Sequence, residues 1–273
     1  MELTVITSNV SADFLTPPGV PIWEERRALY VRAVREALPD LIGLQEVTPR
    51  QLRFFQEQLP EFVAVTVPVI DPDPELQATW HTKYARYGLP VVPDPYELVL
   101  FYRADFFEVV DSGYWWLSPM PERPSIGFGN VAPRAVLWAH LQYRHNGRDL
   151  IIFNTHIDHR SPRPMVELCR ERLANFMGRA PSLVFMGDLN FDPDDANFAL
   201  LMQDGWRDAH EVVAAPESAT FLYDLPDIPG GRIDHILYRG EGLTPQRWVR
   251  LASPDPARRI SDHDPVCVQF LVD

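Results

Sequence analysis

Residues 183–190 read Leu-Val-Phe-Met-Gly-Asp-Leu-Asn, an apolar run that ends in an aspartate, Asp188, and an asparagine, Asn190. An apolar run of this length, with a β-branched residue and an aromatic ring, predicts a buried β-strand. The polar pair then lies at the end of that strand, where the chain enters a loop. Buried strands followed at once by polar side chains recur along the sequence, and this pattern decides the fold.

Other short runs have the same β-branched or aromatic content, and each predicts a strand. They span residues 3–7, 41–44, 99–102, 136–143, 150–154, 236–238 and 266–272. Asn146-Gly147, between two of these runs, fits the positive φ angles of a tight hairpin turn. Apolar residues at helical spacing predict two helices, Trp23 to Leu38 and Pro164 to Met177. Many strands with few helices favour an α/β fold of two mixed sheets packed face to face, with helices outside.

One domain is predicted for residues 1–273, because the sequence contains no internal repeat, low-complexity tract or linker. The segment from Val67 to Pro95 differs from the rest, since six prolines alternate with aromatic and basic side chains in it. A Pro-rich insert of this kind is either a lid that contacts substrate or a solvated surface loop. The sequence leaves both interpretations open.

The formal net charge of −13 limits the choice of partners. A protein that grips long duplexes neutralises many phosphates and is normally basic, so the charge disfavours a protein that tracks along DNA. Apolar runs stay below the ~18 residues needed to cross a bilayer. The N-terminus also lacks the basic start and long apolar stretch of a signal peptide. We therefore expect a cytoplasmic protein with no membrane partner, and we find no sign of an obligate protein partner.

Polar side chains at the ends of different predicted strands converge on one edge if the strands share sheets. Taken alone, each is explained as a turn cap or a satisfied core residue. Their number is harder to explain in that way, and it indicates a functional site. The residues are Asn9, Glu46, Asn154, His156, Asp188, Asn190, Asp234, Asp262 and His263.

Six segments together resemble the endonuclease/exonuclease/phosphatase (DNase I-like) superfamily, and in particular a bacterial branch whose substrates are mostly unassigned. They are Ser8-Asn9-Val10, Leu44-Gln45-Glu46-Val47, Asn154-Thr155-His156, Gly187-Asp188-Leu189-Asn190, Ile233-Asp234-His235 and Ser261-Asp262-His263-Asp264-Pro265. The segments follow the motif order of that superfamily from the first strand to the last. The resemblance implies a four-layer α/β/β/α sandwich of two mixed sheets, and metal-dependent hydrolysis of a phosphoester.

Glu46 is the expected metal ligand, and the resemblance places Asn9 and Asp262 beside it. Hard oxygen ligands suit Mg²⁺ or Mn²⁺, which is the expected cofactor. His263 is the expected general base, because the pKa of imidazole lies near neutral pH. The resemblance gives Asp234 the task of fixing the tautomer of that ring.

Five more residues are expected to handle the water and the phosphate. Asp188 and Asn190 would orient them, and His156 would donate a hydrogen bond to a non-bridging oxygen. A core histidine with a satisfied ring is the competing interpretation of His156. Arg134 is a candidate phosphate clamp, since Arg binds phosphate through two parallel hydrogen bonds. Asn154 is assigned to substrate binding with it.

The leading functional hypothesis is a phosphodiesterase or nuclease that acts on a small or single-stranded phosphodiester, such as a nucleotide or a short nucleic acid. A phosphomonoesterase acting on a sugar or inositol phosphate is the alternative within the same chemistry. A catalytically inactive binding module is a third hypothesis. It is disfavoured because Glu46, Asp188, Asp234 and His263 are all present.

Overall fold

A computed structural model describes residues 1–15, 17–68, 97–130, 132–160, 162–222 and 230–273, together with 74, 75, 78 and 82. Most of the predicted Pro-rich insert lies outside the described residues. Its predicted first residue, Val67, is fully buried and belongs to a strand, Phe62–Pro68. No strand is predicted from the sequence at these positions, so the first two residues of the predicted insert, Val67 and Pro68, belong to a strand that the pattern missed.

The first sheet has six strands in the order β11-β12-β1-β2-β4-β3. They are β1 (Glu2–Asn9), β2 (Leu41–Val47), β3 (Phe62–Pro68), β4 (Glu97–Arg103), β11 (Leu243–Arg250) and β12 (Val266–Val272). β1 and β2 pair in parallel, whereas the other neighbours pair antiparallel. The sheet is therefore mixed, as predicted.

The second sheet also has six strands, in the order β5-β6-β7-β8-β10-β9. They are β5 (Phe107–Trp116), β6 (Ala135–Tyr143), β7 (Asp149–His156), β8 (Ser182–Asp188), β9 (Arg207–Asp208) and β10 (Asp234–Gly240). β7 and β8 pair in parallel, and their neighbours pair antiparallel. The predicted hairpin joins β6 to β7, and Gly147 in it has a φ of 69°.

Helices cover the outer face of each sheet. They are α1 (Trp23–Glu36), α2 (Pro49–Gln58), α3 (Pro162–Ala174) and α4 (Ala196–Leu201), with a 3₁₀ turn at Gln203–Gly205. A further short helix, α5 (Ala209–Val212), contributes Ala209 to the apolar cluster between the sheets. Side chains of α1 and α2 share one apolar cluster with the first sheet, and those of α3 and α4 share another with the second. A third cluster fills the space between the sheets. This layering confirms the α/β sandwich with helices outside.

Both predicted helices are present, with shifted ends. α1 ends at Glu36 because Leu38 has a φ of 50°, which no helix continues. α2 was not predicted, although its start carries a recognisable signal in Thr48, Pro49 and Gln51. The Thr48 side chain accepts from Gln51 N at 3.3 Å and the Gln51 side chain accepts from Thr48 N at 2.9 Å, a capping box. None of the described helices has the length and apolar content needed to cross a membrane.

The strand pairing explains why polar residues meet at one edge. In the first sheet, the parallel strands β1 and β2 end side by side, with Asn9 opposite Gln45. In the second, the parallel strands β7 and β8 end with His156 opposite Asp188. The antiparallel strand β10 begins with Asp234 opposite Asp188. Because the sheets are stacked, these strand ends border the same space between them.

Candidate active site

Glu46 reaches this space because β2 contains a β-bulge. The register between β2 and β4 shifts between Leu44 and Val47, and Glu46 has a φ of 58°. A non-glycine residue in this region costs about 1–3 kcal/mol, and such strain concentrates at functional sites. Strand alternation would point Glu46 away from the inward-facing Gln45, but a bulge redirects the side chain. The Glu46 carboxylate consequently lies 3.3 Å from Asn9 Nδ2 on the neighbouring strand.

Asp188 lies at the centre of the site. Its Oδ2 accepts a hydrogen bond from Asn9 Nδ2 at 3.0 Å, and it lies 3.3 Å from His156 Nε2 and 3.7 Å from His263 Nε2. Burial raises the pKa of Asp188 to about 7; Asp234 adds to this, while the positive charge of His263 opposes it. Asp188 is therefore a carboxyl group that exchanges a proton near neutral pH.

His263 is held on both sides of its ring. Its Nδ1 lies 2.8 Å from Asp234 Oδ2, which is the predicted pairing, and Phe221 packs against the ring with centroids 4.9 Å apart. Burial alone would lower the pKa of His263, but the Asp234 and Asp188 carboxylates together raise it well above its usual value. The ring is consequently protonated at neutral pH. The predicted general base would have to act from the neutral form of this ring, and that role remains a prediction.

His156 has the opposite charge state. Its Nε2 faces Asp188, and its Nδ1 lies 4.0 Å from Glu46 Oε1. Burial lowers the pKa of His156 well below its usual value, and the positive charges of Arg134 and His263 lower it further. His156 is therefore a neutral ring that can donate a hydrogen bond from one nitrogen only.

Arg134 and Asn190 stand on either side of the loop that follows β7. Arg134 is buried, its Nε lies 3.8 Å from Asp158 Oδ2, and its charge also acts on the pKa of Glu46. Asn190 has a φ of 57°, its main-chain N–H donates to Asp188 Oδ1 at 3.0 Å, and its Nδ2 donates to Ile157 O at 2.8 Å. An amide nitrogen carries two hydrogens, so Asn190 retains a donor for a ligand.

Asn154 lies deeper between the sheets and does not face the site, contrary to the sequence prediction. It is fully buried, and its Nδ2 donates to Leu44 O at 2.9 Å and Val99 O at 3.0 Å in the opposite sheet. Its Oδ1 accepts from Gln45 Nε2 at 2.7 Å. Both ends of the amide are thus used between the sheets. The structure contradicts the predicted contact with substrate and makes Asn154 a brace beneath the site.

Asn9 also departs from its predicted role as a metal ligand. Its Nδ2 donates to Glu46 Oε1 and to Asp188 Oδ2, while its Oδ1 accepts from Ser11 N at 3.0 Å. A metal would need the amide oxygen, because an amide nitrogen offers hydrogens and no lone pair. Asn9 therefore bridges two carboxylates with its nitrogen instead of presenting its oxygen to a cation.

The remaining acidic groups fit a divalent cation. Burial raises the pKa of Glu46, and repulsion from Asp262 raises it further, so a cation between them would relieve an unfavourable pairing. Ligand atoms of Asp188, Asp234 and His263 also lie within 4.8 Å of one another. Oxygen-rich donor sets of this kind suit Mg²⁺ or Mn²⁺. Glu46 and Asp262 remain the predicted ligands, and Asp188, Asp234 and His263 form a second group whose ligand atoms are close enough together to hold a cation.

Two residues that shape the site, Thr220 and Phe221, were missed by sequence reasoning. Thr220 is fully buried, and its Oγ1 accepts from the main-chain N–H groups of Ile233 and Asp234, each at 3.1 Å. Phe221 lies against the ring of His263. Neither residue type carries a chemical signal of its own. Their place in the site depends on the pairing of Phe221 with His263, which is distant in sequence, and no local pattern indicates that pairing.

Comparisons with known proteins agree with this fold. A sequence model described as "Endonuclease/Exonuclease/phosphatase family" matches residues 6–263. A mannosyl-6-phosphatase from Bacteroides thetaiotaomicron is 25% identical, with a TM-score of 0.78, and the match covers 98% of this chain and 99% of that one. The human Nocturnin catalytic domain with a bound sulfate anion shares the fold, at 19% identity and a TM-score of 0.75, over 100% of this chain and 94% of that one. A protein of Acanthamoeba polyphaga mimivirus is 26% identical over 200 residues, which is 70% of this chain and 68% of that protein. The chain belongs to the endonuclease/exonuclease/phosphatase family of phosphoester hydrolases.

Proposed function

We propose that this protein hydrolyses phosphoesters with the help of Mg²⁺ or Mn²⁺. The observation that carries the proposal is the surroundings of Asp188 Oδ2, which has an amide nitrogen of Asn9 at 3.0 Å and imidazole nitrogens of His156 and His263 at 3.3 and 3.7 Å. A proton acceptor thus stands beside several hydrogen-bond donors. Attack of water on phosphorus needs this combination, because the water must lose a proton while the phosphate oxygens gain negative charge.

In this proposal the water's proton is taken up by Asp188 and His263 acting as one unit. The raised pKa of Asp188 suits a general base near neutral pH. His263 stays protonated, held by Asp234, and directs its Nε2–H toward Asp188 or a phosphate oxygen. Such a pair titrates jointly, so the base function belongs to both groups and not to His263 alone.

The other residues of the site stabilise negative charge on the phosphate. The neutral ring of His156 and the amide of Asn190 can donate hydrogen bonds to non-bridging oxygens, and the buried Arg134 adds a positive charge nearby. Removing one such donor typically costs about 3 kcal/mol of barrier. Glu46 and Asp262 would hold a divalent cation, which would supply Lewis-acid charge against the negative phosphate.

The proposed substrate is a small or single-stranded phosphodiester, such as a nucleotide or a short nucleic acid. The net charge of −13 supports this choice, because long duplexes are bound through many neutralised phosphates. A sugar phosphate monoester is the second candidate. It is supported by the likeness to the Bacteroides mannosyl-6-phosphatase along almost the whole of both chains.

A panel of three substrates tests the proposal: bis-p-nitrophenyl phosphate, p-nitrophenyl phosphate and mannose 6-phosphate, each with Mg²⁺, Mn²⁺ or EDTA. We expect EDTA to abolish hydrolysis, and Asp188→Asn and His263→Ala to lower kcat by roughly 10²–10⁴-fold each. Gln246→Ala, an exposed position on β11, is the control. Activity that survives EDTA, or that neither site variant reduces, would refute the proposal. The ratio of kcat/KM for the diester and the monoesters decides between the two substrate classes.

A further inference from the structure

Arg26 on α1 is an arginine with no exposed surface at all. Arginine is almost never fully buried unless its charge and donors are satisfied. Here the guanidinium lies over the ring of Trp23, with 4.9 Å between Cζ and the ring centroid. Its hydrogen bonds go to main-chain carbonyl groups, and these carbonyls belong to two loops that border the active site.

The first loop follows Asn9 at the end of β1. Arg26 donates from Nη1 to Val10 O at 2.7 Å and from Nη2 to Ser11 O at 2.6 Å. The N–H groups of this loop hold two site residues. Ser11 N donates to Asn9 Oδ1 at 3.0 Å, and the next residue's N–H, that of Ala12, donates to Glu46 Oε2 at 3.4 Å. Arg26 therefore fixes the main chain that orients Asn9 and the carboxylate of Glu46.

The second loop leads into Asp262. Arg26 Nη1 also donates to Ile260 O at 2.7 Å, two residues before Asp262. Between them, Ser261 Oγ donates to Asn9 O at 2.7 Å and so joins the two loops directly. One guanidinium thus spans the gap between the loop that holds Glu46 and the loop that carries Asp262.

We propose that Arg26 is a positioning residue for the divalent cation and sets the separation of Glu46 and Asp262. This inference rests on the proposed function, because it concerns the metal of that reaction. Only an arginine provides a planar fork whose donors reach several carbonyls in fixed directions, whereas a lysine ammonium is a compact point charge. Arg26→Lys therefore keeps the charge and removes the fork.

The test is the dissociation constant for Mn²⁺, measured by electron paramagnetic resonance on the purified protein at a temperature where near-ultraviolet circular dichroism shows every variant folded. We expect Arg26→Lys to bind Mn²⁺ about 10–100-fold more weakly, the usual effect of losing a group that orients metal ligands. Arg32→Lys, at an exposed position on the same helix, is the matched control and should bind like the wild type. At saturating Mn²⁺ the kcat of Arg26→Lys should lie closer to the wild-type value than its dissociation constant for Mn²⁺ does.

Ser261→Ala is the second variant, in case Arg26→Lys does not fold. It removes one hydroxyl that joins the same two loops, and we expect weaker Mn²⁺ binding from it too. Folded Arg26→Lys, or Ser261→Ala in its place, with the wild-type dissociation constant would overturn the inference and leave the proposed function standing. A wild-type protein that binds no Mn²⁺ would instead overturn the proposed metal-dependent function, and the inference with it.

Discussion

The inter-sheet brace at Asn154 gives a prediction that separates a structural role from a substrate contact. Asn154→Leu keeps the approximate size of the side chain and removes its hydrogen bonds. Two buried carbonyls, Leu44 O and Val99 O, then lose the donor they share. A buried group left unsatisfied costs about 1–3 kcal/mol, so we expect a loss of roughly 2–5 kcal/mol in the free energy of unfolding. Gln45 adds little to this loss, because its Nε2 still donates a hydrogen bond to Thr7 Oγ1 at 3.1 Å.

Urea unfolding followed by tryptophan fluorescence measures this loss as a shift of the midpoint at constant slope. Gln246→Leu is the control, since it removes an exposed amide whose bond is local, to Thr244 O at 3.3 Å. Its free energy of unfolding should stay within about 0.5 kcal/mol of the wild type. The KM of folded Asn154→Leu should be unchanged. A variant of wild-type stability with a raised KM would show that the amide contacts substrate after all.

Three further predictions follow from the titrating and capping groups. The kcat/KM should rise as pH increases through about 7, where Asp188 loses its proton, and fall at higher pH as His263 loses its own; an acid limb that persists in Asp188→Asn would contradict this assignment. Burial lowers the pKa of His235 to about 4, so its contribution to stability is complete above pH 6.5 and is lost as pH falls toward 4, by about 3 kcal/mol. The free energy of unfolding, measured with urea at pH 7 and 4.5, should fall less between these pH values in His235→Gln than in the wild type. Equal losses would contradict a buried neutral ring at His235. Thr48→Ala should cost about 1 kcal/mol through the lost capping box, with Thr244→Ala as an exposed control that should be neutral in the same unfolding assay.

Among the strands that the sequence analysis missed, β5 and β11 have apolar runs that polar, small or proline residues interrupt, whereas β3 is almost wholly apolar and was overlooked. β5 is an edge strand whose middle residues, Asp111 to Gly113, are polar or small, and β11 is an edge strand interrupted by Pro245. Both strands are held by hydrogen bonds to a neighbour that is strongly apolar. Strand regularity at an edge is a property of the pair, so a pattern read along one segment does not reveal it.

The sequence predicted which residues come together near the site, but not how their side chains are oriented. The strand pattern placed Asn154 and His156 together, and both side chains do point between the sheets. Two residues along a strand correspond to roughly 6.6 Å, so the first lies one layer deeper than the second and meets the opposite sheet. Glu46 shows the reverse case, because simple alternation would have turned it outward and a bulge turns it in. The depth of a side chain between the sheets and the position of a bulge both depend on the neighbouring strands, which the sequence of one strand does not reveal.

The two histidines beside Asp188 show that residue type alone does not determine protonation state. Both rings are buried, and both place Nε2 within 3.7 Å of the same carboxylate oxygen. Their pKa values nevertheless move in opposite directions, since Asp234 holds His263 from behind whereas Arg134 acts on His156. Burial lowers the pKa of both rings, so the carboxylates beside His263 make that ring a cation, while His156 stays a neutral donor. That choice depends on which loops the fold brings behind the ring, and a motif that names the histidine alone does not contain it.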